Sequence, residues 1–150
     1  MLAFSPLLTL LLDPFMKTKA TLELADLKTI AAAAEAEAFK HGWAVSIAIV
    51  DEGGHSMWFQ RLDGAAPISA QIAPAKARTS ALGMRESRIY EEMINGGRMS
   101  FLSAPGLEGM LEGGVPIMMD GQCIGAVGVS GVKSSEDAQV ARAGIAAIGL

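Results

Sequence analysis

The sequence predicts an α+β fold, an antiparallel sheet with helices packed against it. Three observations lead there. Two pairs of strand-like runs are joined by turns, "DEGGH" and Asp120-Gly121, too short for a parallel crossover. Segments with helical apolar spacing stand before, between and after those hairpins. The chain has 150 residues and one cysteine, Cys123, so a single domain must hold together by apolar burial rather than by an intrachain disulfide.

Taken in order, Lys19 to Leu22 reads as a short first strand. From Leu24 to His41 the pattern is helical: Leu24, Leu27, Ala31, Ala34 and Ala38 form one stripe, and Gly42 is a natural stop. "WAVSIAIV", Trp43 to Val50, alternates bulky Val45, Ile47 and Ile49 with small Ala44, Ser46 and Ala48. That is a buried strand with one bulky and one tight face. "HSMWFQR" returns as its partner. Pro67 to Leu82 reads as a helix with Pro74 as a kink or a fresh start, and Glu86 to Asn95 as a second, ended by Gly96-Gly97. Val115 to Met119 and Cys123 to Ser130 are strands around a type I′ turn. Ser134 to Ile148 is the last helix; Ser134 with Asp137 reads as a capping box. Five strands are expected in all.

The hydrophobic fraction is 51% and the aromatic fraction 5%, so small and aliphatic residues carry the core. So much apolar surface on a short chain hints at self-association. The formal charge of −4, with no basic block, argues against nucleic-acid binding. "MLAFSPLLTLLLDPF" is too short to span a membrane, and it lacks the basic start and small-residue cleavage site of a secretory leader. The expectation is a native start at Met16, residues 1–15 as an extension, residues 16–150 as a single domain, and a cytoplasmic protein with no membrane partner.

The glycine-rich stretch Glu112 to Gly131 poses a choice between a phosphate loop and a hairpin. Gly125, Gly128 and Gly131 are spaced G-x-x-G-x-x-G, which is neither the dinucleotide fingerprint nor the phosphate-loop pattern. They sit among Ile124, Val127 and Val129. Glycine inside a strand marks a bulge or the close approach of another backbone or a ligand. The hairpin reading follows, with backbone bared at Gly125 and Gly128 to receive a helix, a flat ligand or a second subunit.

"MKTKATL", "WAVSIAIVDEGGH", "KARTSALG", "YEEMINGGR" and "LEGGVPIMMDGQCIGAVGVSG…EDAQVA" occur in that order from Met16 to near the C-terminus. Together they resemble the GlcG/HbpS family, also called the haem-binding or DUF336 family, and its GlcG branch most closely. The resemblance implies a profilin-like fold, a five-stranded antiparallel sheet in α/β/α layers. It implies homo-oligomers, tetramers or octamers, and haem as a possible cofactor. It also implies an association with glycolate, glycerol or diol breakdown.

The candidate chemistry follows. His55 could offer an imidazole to haem iron, or simply close its turn. Cys123 could offer a thiolate, or be a small buried hydrophobe. Lys76, Arg78 and Thr79 lie on or near one helical turn. With Arg61 and Arg85 they could grip a carboxylate or haem propionate, or form a solvated face. Glu112 precedes Gly113 and Gly114, whose N–H groups could line an anion nest. Several of the nine methionines would fill core and interface gaps. No paired carboxylates, zinc spacing or nucleophile elbow is present. The expectation is an oligomeric, non-enzymatic binding module for a tetrapyrrole or small carboxylate. The alternatives are an enzyme on a small oxygenated metabolite, with Glu112, Lys76 or His55 as acid–base groups, and a structural partner of catabolic enzymes.

Overall fold

The structure, a computed structural model, describes residues 15–150; apart from Phe15, the expected extension 1–15 lies outside them. The order is α1 (Leu24–His41), β1 (Ser46–Asp51), β2 (Ser56–Arg61), α2 (Ser69–Gly83), α3 (Ser87–Asn95), a 3-10 turn (Met99–Ser103), β3 (Gly114–Met119), β4 (Gln122–Ser130) and α4 (Ser134–Ala146). The sheet runs β2-β1-β4-β3 and every pairing is antiparallel.

The sheet has four strands among the described residues, not the expected five. Residues 19–22 form no ladder. Both central strands, β1 and β4, are already paired on each side. Leu22 instead drives its side chain into the core, where its Cδ1 lies 2.8 Å from the place a Cβ on Gly125 would occupy. The segment's apolar content serves an anchor, not a strand.

The bulky and tight faces of β1 behave as the alternation predicts. Val45, Ile47 and Ile49 join Val127, Val129 and Ile117 in the main core under α1 and α4. Ala48, Val50 and Ala126 meet Ala73, Ala77 and Ala81 of α2 on the other face. Small residues on both sides let α2 lie almost on the sheet. A Cβ at Gly128 would fall 2.1 Å from the Ala73 carbonyl oxygen, and one at Gly114 2.3 Å from that of Lys76. The layers are therefore helix, sheet, helix. Gly125 opens the opposite face beside Leu22, and the β3–β4 register slips there, with Ile117 opposite Gly125 and Met118 opposite Cys123.

Details of the helices depart from the pattern. Leu24 is 57% exposed and Ile30 takes its place in the stripe of α1. Gly42, at φ 70°, ends α1 as expected. Asp120 and Gly121 both have positive φ, as a type I′ turn requires. The expected capping role of Asp137 is not what the structure shows: Lys133 holds the N-cap position of α4, its N–H donating to Glu136 Oε1 at 3.3 Å, and Asp137 turns inward. No helix of the described residues is long and apolar enough to cross a membrane.

Met84 closes α2 with φ 54°, a left-handed conformation, while its side chain is 65% exposed. An L-residue there gives up about 1–2 kcal/mol that glycine does not. Met84→Gly should therefore raise stability by about 1 kcal/mol, measured by urea unfolding, and unchanged or lower stability would contradict the strain.

Candidate functional site

A cleft of about 480 Å³ lies where the β1–β2 turn, α2 and the loop before β3 meet. Its walls include Val50, Ser56, Gln71, Pro74, Arg78 and Glu108. Local sequence places each element. "DEGGH" turns tightly because Gly54 adopts φ 78°, and a Cβ there would sit 3.0 Å from Arg78 Cγ. The glycine thus lets the turn rest on the arginine. On the other side Arg78 Nε donates to the Gly106 carbonyl at 3.3 Å. The stem and Nε of Arg78 are held between turn and loop, and among the described residues no carboxylate pairs with its guanidinium. A planar, permanently charged fork positioned this way suits a carboxylate.

His55 lies next to that cleft, between the lining residues Gly54 and Ser56. Its ring is 77% exposed and its Nδ1 lies 3.1 Å from Asp51 Oδ1. With Nδ1–H donating to the carboxylate, Nε2 carries the lone pair and faces outward from that bond. Burial pushes the Asp51 carboxyl up, but the N–H groups of His55 and Gly53 outweigh it and hold the group below its ordinary range. His55 therefore offers an accessible imidazole nitrogen, a group that suits a metal. Cys123 does not: it is 4% exposed, and its thiol donates to the Gly125 carbonyl at 3.3 Å on the packed face.

The other expected cations are not brought to the cleft. Lys76 is 3% exposed and its ammonium donates to Asp137 Oδ2 at 2.9 Å and to the Val129 carbonyl at 3.0 Å. Asp137, itself 2% exposed, also accepts the Val132 N–H. Burial pushes the Asp137 carboxyl up, and Lys76 pulls it back without cancelling the shift. The pair ties α2 to α4 around the end of β4. Thr79 is buried, and its hydroxyl has no partner among the described residues. Arg61 lies at the far end of β2, beside Glu35 and Asp63 in a separate depression. Arg85 sits over the Tyr90 ring.

At the expected Glu112–Gly114 nest, the N–H groups of Glu112 and Gly114 are taken by the protein's own side chains. The Glu112 N–H donates to Glu91 Oε2 at 2.7 Å, and the Gly114 N–H to Ser87 Oγ at 2.8 Å. Glu112, Lys76 and His55 thus stand in three different environments and form no acid–base set. Among the described residues, no three of His, Cys, Asp or Glu converge as metal ligands. Sequence reasoning missed Glu108, a loop residue with no periodicity to mark it, and Asp137, whose partner lies 61 positions away.

Fold and site together define a three-layer α+β domain with an open, arginine-bearing cleft. The chain belongs to the HbpS-like family: the family described as "Haem degrading protein HbpS-like" matches residues 22–146. It is 55% identical to protein GlcG of Escherichia coli strain K12 over 115 residues, 77% of this chain and 85% of that one. Among solved structures, a double mutant of HbpS from Streptomyces reticuli superposes with a TM-score of 0.80 at 31% identity, covering 90% of this chain and 92% of that one. A structure titled as the PduOC:haem complex matches with a TM-score of 0.77 at 28% identity, covering 85% and 95%.

Proposed function

We propose that the protein is a binding module whose cleft takes a ligand carboxylate on Arg78, the ligand being a tetrapyrrole or a short organic acid. The observation that carries this is the Arg78 guanidinium, anchored by Gly106 and Gly54 and, among the described residues, left without a carboxylate of its own. The haem complex of the PduOC relative supports the tetrapyrrole branch. In that branch Arg78 would hold a propionate and His55 would present Nε2 to the iron, with Asp51 fixing the ring. Haem, when bound, supplies an iron centre for ligand or redox chemistry. The chain's own part is to bind and orient.

Self-association is the second part of the proposal. Val115, Pro116 and Met118 on the β3 edge, with Ile145, Ala146 and Leu150, line a largely apolar depression of about 470 Å³. A second copy would cover it, as a tetramer or octamer requires of some face.

The test is a haem titration followed at the Soret band, beside calorimetric titration of short organic acids, on wild type and Arg78→Leu. Saturable binding is expected in wild type. The charged hydrogen bonds lost in Arg78→Leu should weaken it roughly ten- to a hundredfold. His55→Ala should move the haem band and leave acid binding unchanged. Equal binding by wild type and Arg78→Leu, or no binding of either ligand class, would refute the proposal.

A further inference from the structure

Arg78 and Glu108 line the same cleft, yet they form no ion pair with each other. Both are exposed, and Arg78 is tethered to the Gly106 carbonyl, two residues before Glu108. The cleft thus holds a tethered cation and a separate acidic residue, with Ser56 and Gln71 also in its lining. A ligand bearing only a carboxylate would satisfy Arg78 alone. A ligand that also carries a hydrogen-bond donor satisfies both.

We infer that the cleft selects a short acid whose carboxylate lies on Arg78 and whose neighbouring donor, an ammonium or a hydroxyl, lies on Glu108. This rests on the carboxylate reading of Arg78 and narrows it to a class of ligand. The aliphatic carbons of such a molecule would lie against Val50, Pro74 and Ala75. Carboxylate and donor on neighbouring atoms can engage the two charged groups at once, and a charge-assisted hydrogen bond to the carboxylate of Glu108 is the stronger kind. A plain acid forfeits that bond, which is how a site built for a polar group rejects the analogue that lacks it.

The experiment uses three probes of matched size on the full-length protein: propionate, lactate and alanine, each titrated by calorimetry into wild type, Arg78→Leu and Glu108→Ala. Lactate or alanine should bind wild type at least tenfold more tightly than propionate. In Glu108→Ala that preference should vanish while propionate binds no worse. Alanine ahead of lactate would assign the donor as an ammonium, and the reverse order as a hydroxyl. Propionate binding as tightly as the other two, with Arg78→Leu still weakening all three, would overturn the selectivity and leave the carboxylate reading standing. A preference that survives Glu108→Ala, or no binding of any probe, would also overturn it. If haem titration is silent as well, the carboxylate reading falls with it.

Discussion

Lys76→Met is expected to destabilise the protein by about 3–5 kcal/mol, because it leaves the Asp137 carboxylate buried without a counter-ion. In a chain of this length that is a fall in melting temperature of about 10 °C. Burial already pushes the Asp137 carboxyl up with Lys76 beside it, and removing Lys76 pushes it further. A carboxyl raised on folding contributes stability that is full below its ordinary range and is lost as pH rises through the raised value. The variant should therefore lie furthest below wild type at neutral pH, and the gap should narrow as acid protonates Asp137. Lys76→Met with Asp137→Leu removes both charges and should recover most of the loss. Urea unfolding from neutral to mildly acidic pH checks the loss, its pH trend and the recovery, and a thermal melt checks the temperature. A single variant within 1 kcal/mol of wild type, or a gap that widens in acid, would show that the pair is not the clamp described.

Gly128→Ala should cost about 3 kcal/mol for a single methyl. The new Cβ would lie 2.1 Å from the Ala73 carbonyl oxygen and 2.5 Å from the Ala77 nitrogen. Those are backbone atoms of α2, so no side chain can rotate aside and the helix must lift from the sheet. The loss spreads to the Ala48, Ala77 and Ala126 contacts on that face. Gly121→Asn is the control. It lies at φ 73° with nothing within 4 Å of a Cβ, and asparagine tolerates that conformation. It should stay within about 1 kcal/mol of wild type. Gly128→Ala as mild as the control would mean that α2 does not lie on the glycine.

The parts of the fold that were readable are those governed by local rules. Hairpin turn lengths forced antiparallel pairing, the alternation in Val45–Val50 separated a bulky from a tight face, and glycine spacing excluded a phosphate loop. Leu22 misled because an apolar residue at a strand end and an anchor over a sheet have the same sequence appearance. Asp137 misled for a similar reason: three residues after Ser134 it matches a cap, and nothing local reveals a lysine 61 positions earlier. Of the site, Arg78 was legible as one of a group of cations on and near a helix. Its separation from Arg61 and Lys76 was not, since helix phase decides which cation faces the cleft and which enters the core. Glu108 sits in a loop, where no period exists to read.

The most direct measurement is a crystal structure of the full chain grown with whichever titrated ligand binds most tightly. Ligand density is expected in the cleft between the β1–β2 turn and α2, with its carboxylate within hydrogen-bond distance of the Arg78 guanidinium. Ligand density elsewhere, with Arg78 facing only solvent, would contradict it.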